Sequence, residues 1–145
     1  MRGEDFIDLA MGLSEAGSEA AHRTAVSRAY YGVFHVALQL LADAGIGLPD
    51  TAEAHRKVLF CLTNSGDDLG RKVGTRLELL RRQRNVADYN LRDVTFQQRT
   101  PADKAILLAQ HLVTLLASFR DEPSWSRFRV AVRSYAAQVL RLPVS

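Results

Sequence analysis

A chain of 145 residues has room for one domain, and its composition (47% hydrophobic, 24% charged, nine Gly, four Pro) excludes collagenous, low-complexity and wholly disordered classes, because enough apolar surface is present to offset the entropy of ordering. A single cysteine, Cys61, excludes an internal disulfide framework and a Cys-based zinc site, and it makes a cytoplasmic setting the expectation. The net charge of +3 is unevenly spread: residues 71–99 hold eight basic against three acidic side chains, whereas residues 1–22 hold one against five.

The periodicity is helical nearly throughout. Phe6, Ile7, Ala10 and Met11 share one face of a short first helix over Glu4–Leu13. Its Glu4, Asp5 and Asp8 do not fit a secretory signal. Ser18 is placed to cap a second helix over Glu19–Ala44, in which Val26, Tyr30, Val33, Phe34, Ala37, Leu38 and Leu41 trace a buried face. Gly45, Gly47 and Pro49 end it. Asp50 or Thr51 is then expected to cap a helix over Ala52–Thr63, and Asn64–Asp67 breaks the chain before a fourth helix from Leu69 to Asp88 or Tyr89. Thr100 and Pro101 stand where an N-cap and first helical residue belong, opening a helix to Phe119 that is apolar on most sides and expected to be central. Its uncharged run Ala105–Phe119 is too short for a membrane span and is interrupted by Gln110 and His111. A last helix, Ser124–Leu142, sets Trp125, Phe128, Val132, Tyr135, Ala136 and Val139 on one side. The class is all-α, an antiparallel helical bundle spanning residues 1–145. Tyr30, Val33, Phe34, Ala37, Leu41, Leu77, Leu80, Leu107, Leu112 and Leu116 are the expected core.

Much chemistry is missing from the pattern. No glycine loop for phosphates, no nucleophile elbow and no paired histidines at ligand spacing occur, so neither a cofactor nor a metal is expected. Two segments stand out. Around the first, Ser27–His35, the helix residues Thr24, Arg28, Tyr31, His35 and Gln39 fall opposite the apolar series. That stripe is either a solvated face or a surface for an anion or partner. In Arg81–Tyr89, Val73, Leu77, Leu80, Ala87 and Leu91 form an apolar stripe with Arg84 in its middle. An inward Arg is costly unless paired, and Asp88 one turn on is the obvious partner. The pair is either a structural lock between helices or a pre-oriented guanidinium for phosphate. The cations are sixteen Arg and three Lys (Lys57, Lys72, Lys104), a skew that suits phosphate forks and that GC-rich coding also produces.

Together, Ser27-Arg28-Ala29-Tyr30-Tyr31-Gly32-Val33-Phe34-His35, His55 at the start of the next helix, and Arg84-Asn85-Val86-Ala87-Asp88-Tyr89 resemble the HEPN domain family over about residues 5–120. The helix at 124–142 resembles an individual addition. The resemblance implies a four-helix core, homodimerisation, and RNA or nucleotide binding in a defence or toxin–antitoxin-like system, with a nucleotidyltransferase as a further possible partner. It assigns binding to Arg28, Tyr31, His35, Arg81, Arg84 and Asn85. Active members use Arg followed four to six residues later by His. Here that position is Tyr89, whose ordinary pKa near 10 does not suit proton shuttling at neutral pH. Binding is therefore expected ahead of protein interaction alone, and both ahead of a weak metal-independent ribonuclease using Arg84, Asp88, Tyr89 and His35.

Overall fold

Short polar side chains set the start of three helices in the computed structural model, which describes residues 1–145. Helix α1 (Gly3–Ser14) begins where the Arg2 amide donates to Asp5 at 2.7 Å. Helix α2 (Glu19–Asp43) is capped by Ser18, whose hydroxyl accepts from the Ala21 amide at 3.1 Å. Helix α4 (Asp68–Tyr89) is capped by Asp67, which accepts from the Gly70 amide at 3.0 Å. Helices α3 (Ala54–Thr63), α5 (Arg99–Ser118) and α6 (Ser124–Gln138) complete an all-α bundle without strands, and a 3₁₀ turn, Thr95–Gln97, precedes α5. No helix is long and apolar enough to cross a membrane.

Three boundaries differ from expectation. Helix α3 starts at Ala54, because Thr51 bonds through its backbone carbonyl to the Ala54 amide and neither Asp50 nor Thr51 caps the helix with its side chain. Helix α5 starts at Arg99, which places Thr100 and Pro101 inside its first turn. A proline fits there because the amide it lacks belongs to the first-turn donors that have no helical partner. Helix α6 ends at Gln138, since the chain reverses to bury Leu142 and to pair Val144 with Ile46. Val139 is left exposed.

The central element is α2 rather than α5: it packs against α1, α3, α4 and α5. Its small buried residues Ala25, Ala29, Gly32 and Ala37 let neighbours approach on several sides, while Tyr30, Val33, Phe34 and Leu41 fill the gaps. Leu77, Leu80, Leu112 and Leu116 join the core as expected. Leu107 does not. The buried stripe of α5 runs through Ala102, Ala105, Ile106, Ala109, Leu112 and Leu116, which leaves Leu107 outward beside the exposed Lys104 and His111. Leu91 is exposed as well, because α4 has ended before it. Helix α6 closes the bundle against α3, with Phe128, Val132 and Ala136 in the core and the Phe119 and Phe128 rings 4.7 Å apart.

Candidate functional site

Where α2 crosses α4, the polar stripe of one helix meets the basic stripe of the other. Arg84 is the centre. Its guanidinium carbon lies 5.2 Å from the Tyr30 ring and 5.1 Å from the Tyr31 ring, and only 8% of its side chain is exposed. Cation–π contact of this kind offsets part of the desolvation cost. Pairing is thin: the nearest carboxylate oxygen, on Asp88, is 3.8 Å away, and the Arg84 Nε is buried with no hydrogen-bond partner. Asp88 also accepts from the Ser27 hydroxyl at 3.2 Å, so the same acid ties α2 to α4.

Around this centre the charge is predominantly positive. Arg28 lies over Tyr31 (4.9 Å) and Phe6 (5.3 Å) and pairs with no carboxylate. Arg81 and Arg82 share one acid, Glu78, at 3.6 and 3.3 Å, and the Arg81 Nε is buried without a partner. Asn85, one turn after Arg81, is partly buried and makes no side-chain hydrogen bond within the protein. Phe6 reaches the site because α1 lies close on α2: a Cβ at Gly32 would sit 2.6 Å from Ile7 and 2.9 Å from the Gly3 carbonyl. His35 stacks on Phe6 at 5.6 Å.

The fourth wall comes from α3. The Tyr30 hydroxyl and His55 Nδ1 are 2.7 Å apart, and the His55 ring stacks on Phe34 at 4.1 Å. Burial lowers the His55 pKa below its ordinary 6.5, and the charges of Arg84 and Arg81, then His35, lower it further. Burial raises the Tyr30 phenol to about 12, against the opposing pull of Arg81 and Arg84. The site is thus a cationic, aromatic-lined junction between α2, α3 and α4 (the cleft), in which burial and neighbouring arginines disfavour the charged form of His55. It holds no group of three or more His, Cys, Asp or Glu side chains suited to a metal ion.

No protein family matches the chain, nor does any curated protein or solved structure. Its chemistry is therefore read from the cleft itself. Of the residues singled out in the sequence, Arg28, Tyr31, His35, Arg81, Arg84 and Asp88 gather here, with Asn85 on the same side of α4. Tyr89 does not join them. Helix α4 stays regular to its last residue, so Tyr89 lies about 140° around the axis from Arg84 and is 76% exposed. Periodicity places Tyr30 in the core, yet its hydroxyl belongs to the cleft. Spacing alone sets Phe6 on the apolar face of α1 and gives Ser27 no separate signal.

A second arginine holds the cleft in shape from behind. Arg23, buried near the start of α2, donates to the carbonyls of Val86 (3.2 Å), Ala87 (2.9 Å), Asn90 (3.1 Å) and Asp93 (2.7 Å) and pairs with Glu19 at 2.9 Å. Ala87 is among the carbonyls that the end of α4 leaves without an amide partner, whereas Val86 and Asn90 also accept from the Asn90 and Asp93 amides; a cation there also opposes the negative end of the helix dipole. Next to it, His22 Nδ1 is 2.9 Å from the Phe96 carbonyl. Together they anchor the end of α4, and hence Asp88, to α2.

Proposed function

We propose that this protein is a HEPN-type RNA- or nucleotide-binding bundle whose phosphate ligand enters the cleft at Arg84. The observation that carries the reading is the incomplete pairing of a buried guanidinium. Arg84 has an unpartnered Nε, one carboxylate at 3.8 Å, and unneutralised Arg28 nearby. A buried charge left short of partners is costly, and a phosphate at the exposed edge of the guanidinium offsets that charge. A purely structural ion pair would instead be expected to show closer, better-aligned contacts. Ribonuclease chemistry is not part of the proposal, because Tyr89 stands apart from Arg84.

The test is fluorescence anisotropy with a labelled single-stranded RNA at low salt, run beside a melting curve. The Arg84→Met, Asp88→Leu double variant removes both charges, and it is expected to stay folded while its Kd rises about 10- to 100-fold, the equivalent of one charge-assisted contact of about 1.5–3 kcal/mol. A folded double variant with wild-type affinity would leave Arg84 as scaffold and end the proposal.

A further inference from the structure

Beyond the cleft, α3 and α4 enclose a groove of about 660 Å³. Its charge is one-sided: Arg56, Arg76, Arg81 and Arg82 line it against the single acid Glu78. Arg56 and Arg76 have no carboxylate partner, and Glu78 is already divided between Arg81 and Arg82. The floor is apolar and partly open, with Phe60 39% and Leu79 50% exposed, and Arg56 lies over the Phe60 ring at 5.7 Å. The groove exists because the helices cross tightly at Gly74, where a Cβ would meet the Thr63 hydroxyl at 2.5 Å.

We infer that this groove is a second phosphate subsite, and that the ligand is a single strand of RNA running from the cleft along α4. The inference rests on reading the cleft as the first phosphate site. Two observations favour a strand over a single nucleotide. Groove and Arg84 adjoin along α4, since Arg81, which lines the groove, stands one turn before Arg84. Arg84 and Arg76 are also separated by about 12 Å of helix axis, too far for one phosphate to bridge. Phe60 with Arg56 above it provides a platform for a base, and the arginine forks provide contacts for the backbone. The excess of cations over Glu78 matches a polyanion, and the planar platform distinguishes a nucleic-acid strand from an acidic peptide.

The experiment compares wild type with the Arg56→Ala, Arg76→Ala variant, both changes lying at the surface and outside the cleft. Binding of an RNA of about twelve nucleotides and of a dinucleotide is followed by anisotropy across a salt series, with polyglutamate as competitor. The variant is expected to bind the longer RNA at least about tenfold more weakly. Its slope of log K against log salt should be shallower by about 1.4, the value for two lost contacts to a single strand. Dinucleotide affinity should not change. Equal slopes and affinities in the two proteins would overturn the groove while leaving the cleft standing, provided the Arg84→Met, Asp88→Leu variant still loses binding. Polyglutamate displacing the longer RNA as well as unlabelled RNA of equal charge would also overturn it. Failure of wild type to bind either RNA would remove both readings.

Discussion

Replacing Arg23 with Met should destabilise the fold by about 3–5 kcal/mol, although the substitution keeps most of the side-chain volume. The magnitude follows from what the guanidinium does. It serves four backbone carbonyls, the nearest at 2.7 and 2.9 Å, and one carboxylate, all around the end of α4. Counting each contact separately at about 1.5–3 kcal/mol would overshoot, because one desolvation cost is shared among them all. The net loss is that of removing one member from a buried charged network, plus the interaction with the helix end, about 0.3–2 kcal/mol. In a domain of this size the melting temperature should fall by about 10–15 °C. Arg23→Lys should recover the dipole interaction alone, since one ammonium cannot span four carbonyls. Urea denaturation gives the energies, and amide exchange over residues 86–96 should quicken in the Met variant before global unfolding. A loss below about 1 kcal/mol, or a Lys variant equal to wild type, would refute the argument that the fork to the α4 carbonyls holds this junction together.

Two further predictions address the walls of the cleft. Gly32→Ala should cost about 1–3 kcal/mol in thermal unfolding, because the new Cβ would press on Ile7 and the Gly3 carbonyl and push α1, with Phe6, away from α2; an unchanged melting temperature would mean that α1 adapts freely. His55, with its pKa held below 6.5 in the folded protein, binds fewer protons there than in the unfolded chain. Its contribution therefore favours folding above about pH 6.5 and is lost as the pH falls through the folded value. Denaturation midpoints from pH 7.5 to 5, compared between wild type and His55→Gln, should show a smaller decline in the variant, and parallel declines would contradict the assignment.

The fold was largely legible in the sequence because its signals are local. Ser18 and Asp67 cap the helices they precede, and the apolar series of α2 and α4 need only a period of 3.6. The placement of α5 at the centre failed for a physical reason. Hydropathy favours its leucines, whereas close approach on several sides favours the alanines and glycine of α2. Leu107 and Leu91 misled in the same way, since an apolar side chain says nothing by itself about which way it faces. In the cleft, Arg84 with Asp88 could be found because a charge interrupts an apolar stripe and its acid follows one turn later. Arg23 could not, because its acceptors lie more than sixty residues away in sequence. Phe6 and the Tyr30–His55 contact likewise exist only once α1 and α3 have docked on α2.

That contact between Tyr30 and His55 also decides how the imidazole faces the open side of the cleft. With its pKa pushed up to about 12 by burial, the phenol keeps its proton at neutral pH. When the phenol donates to Nδ1 across the 2.7 Å contact, the one proton of the neutral ring sits on Nε2. In that tautomer His55 presents an N–H donor that carries no charge of its own. Beside the Arg84 and Arg81 guanidinium groups it can orient an oxygen without adding to their mutual repulsion, a role that a lysine in its place could not fill.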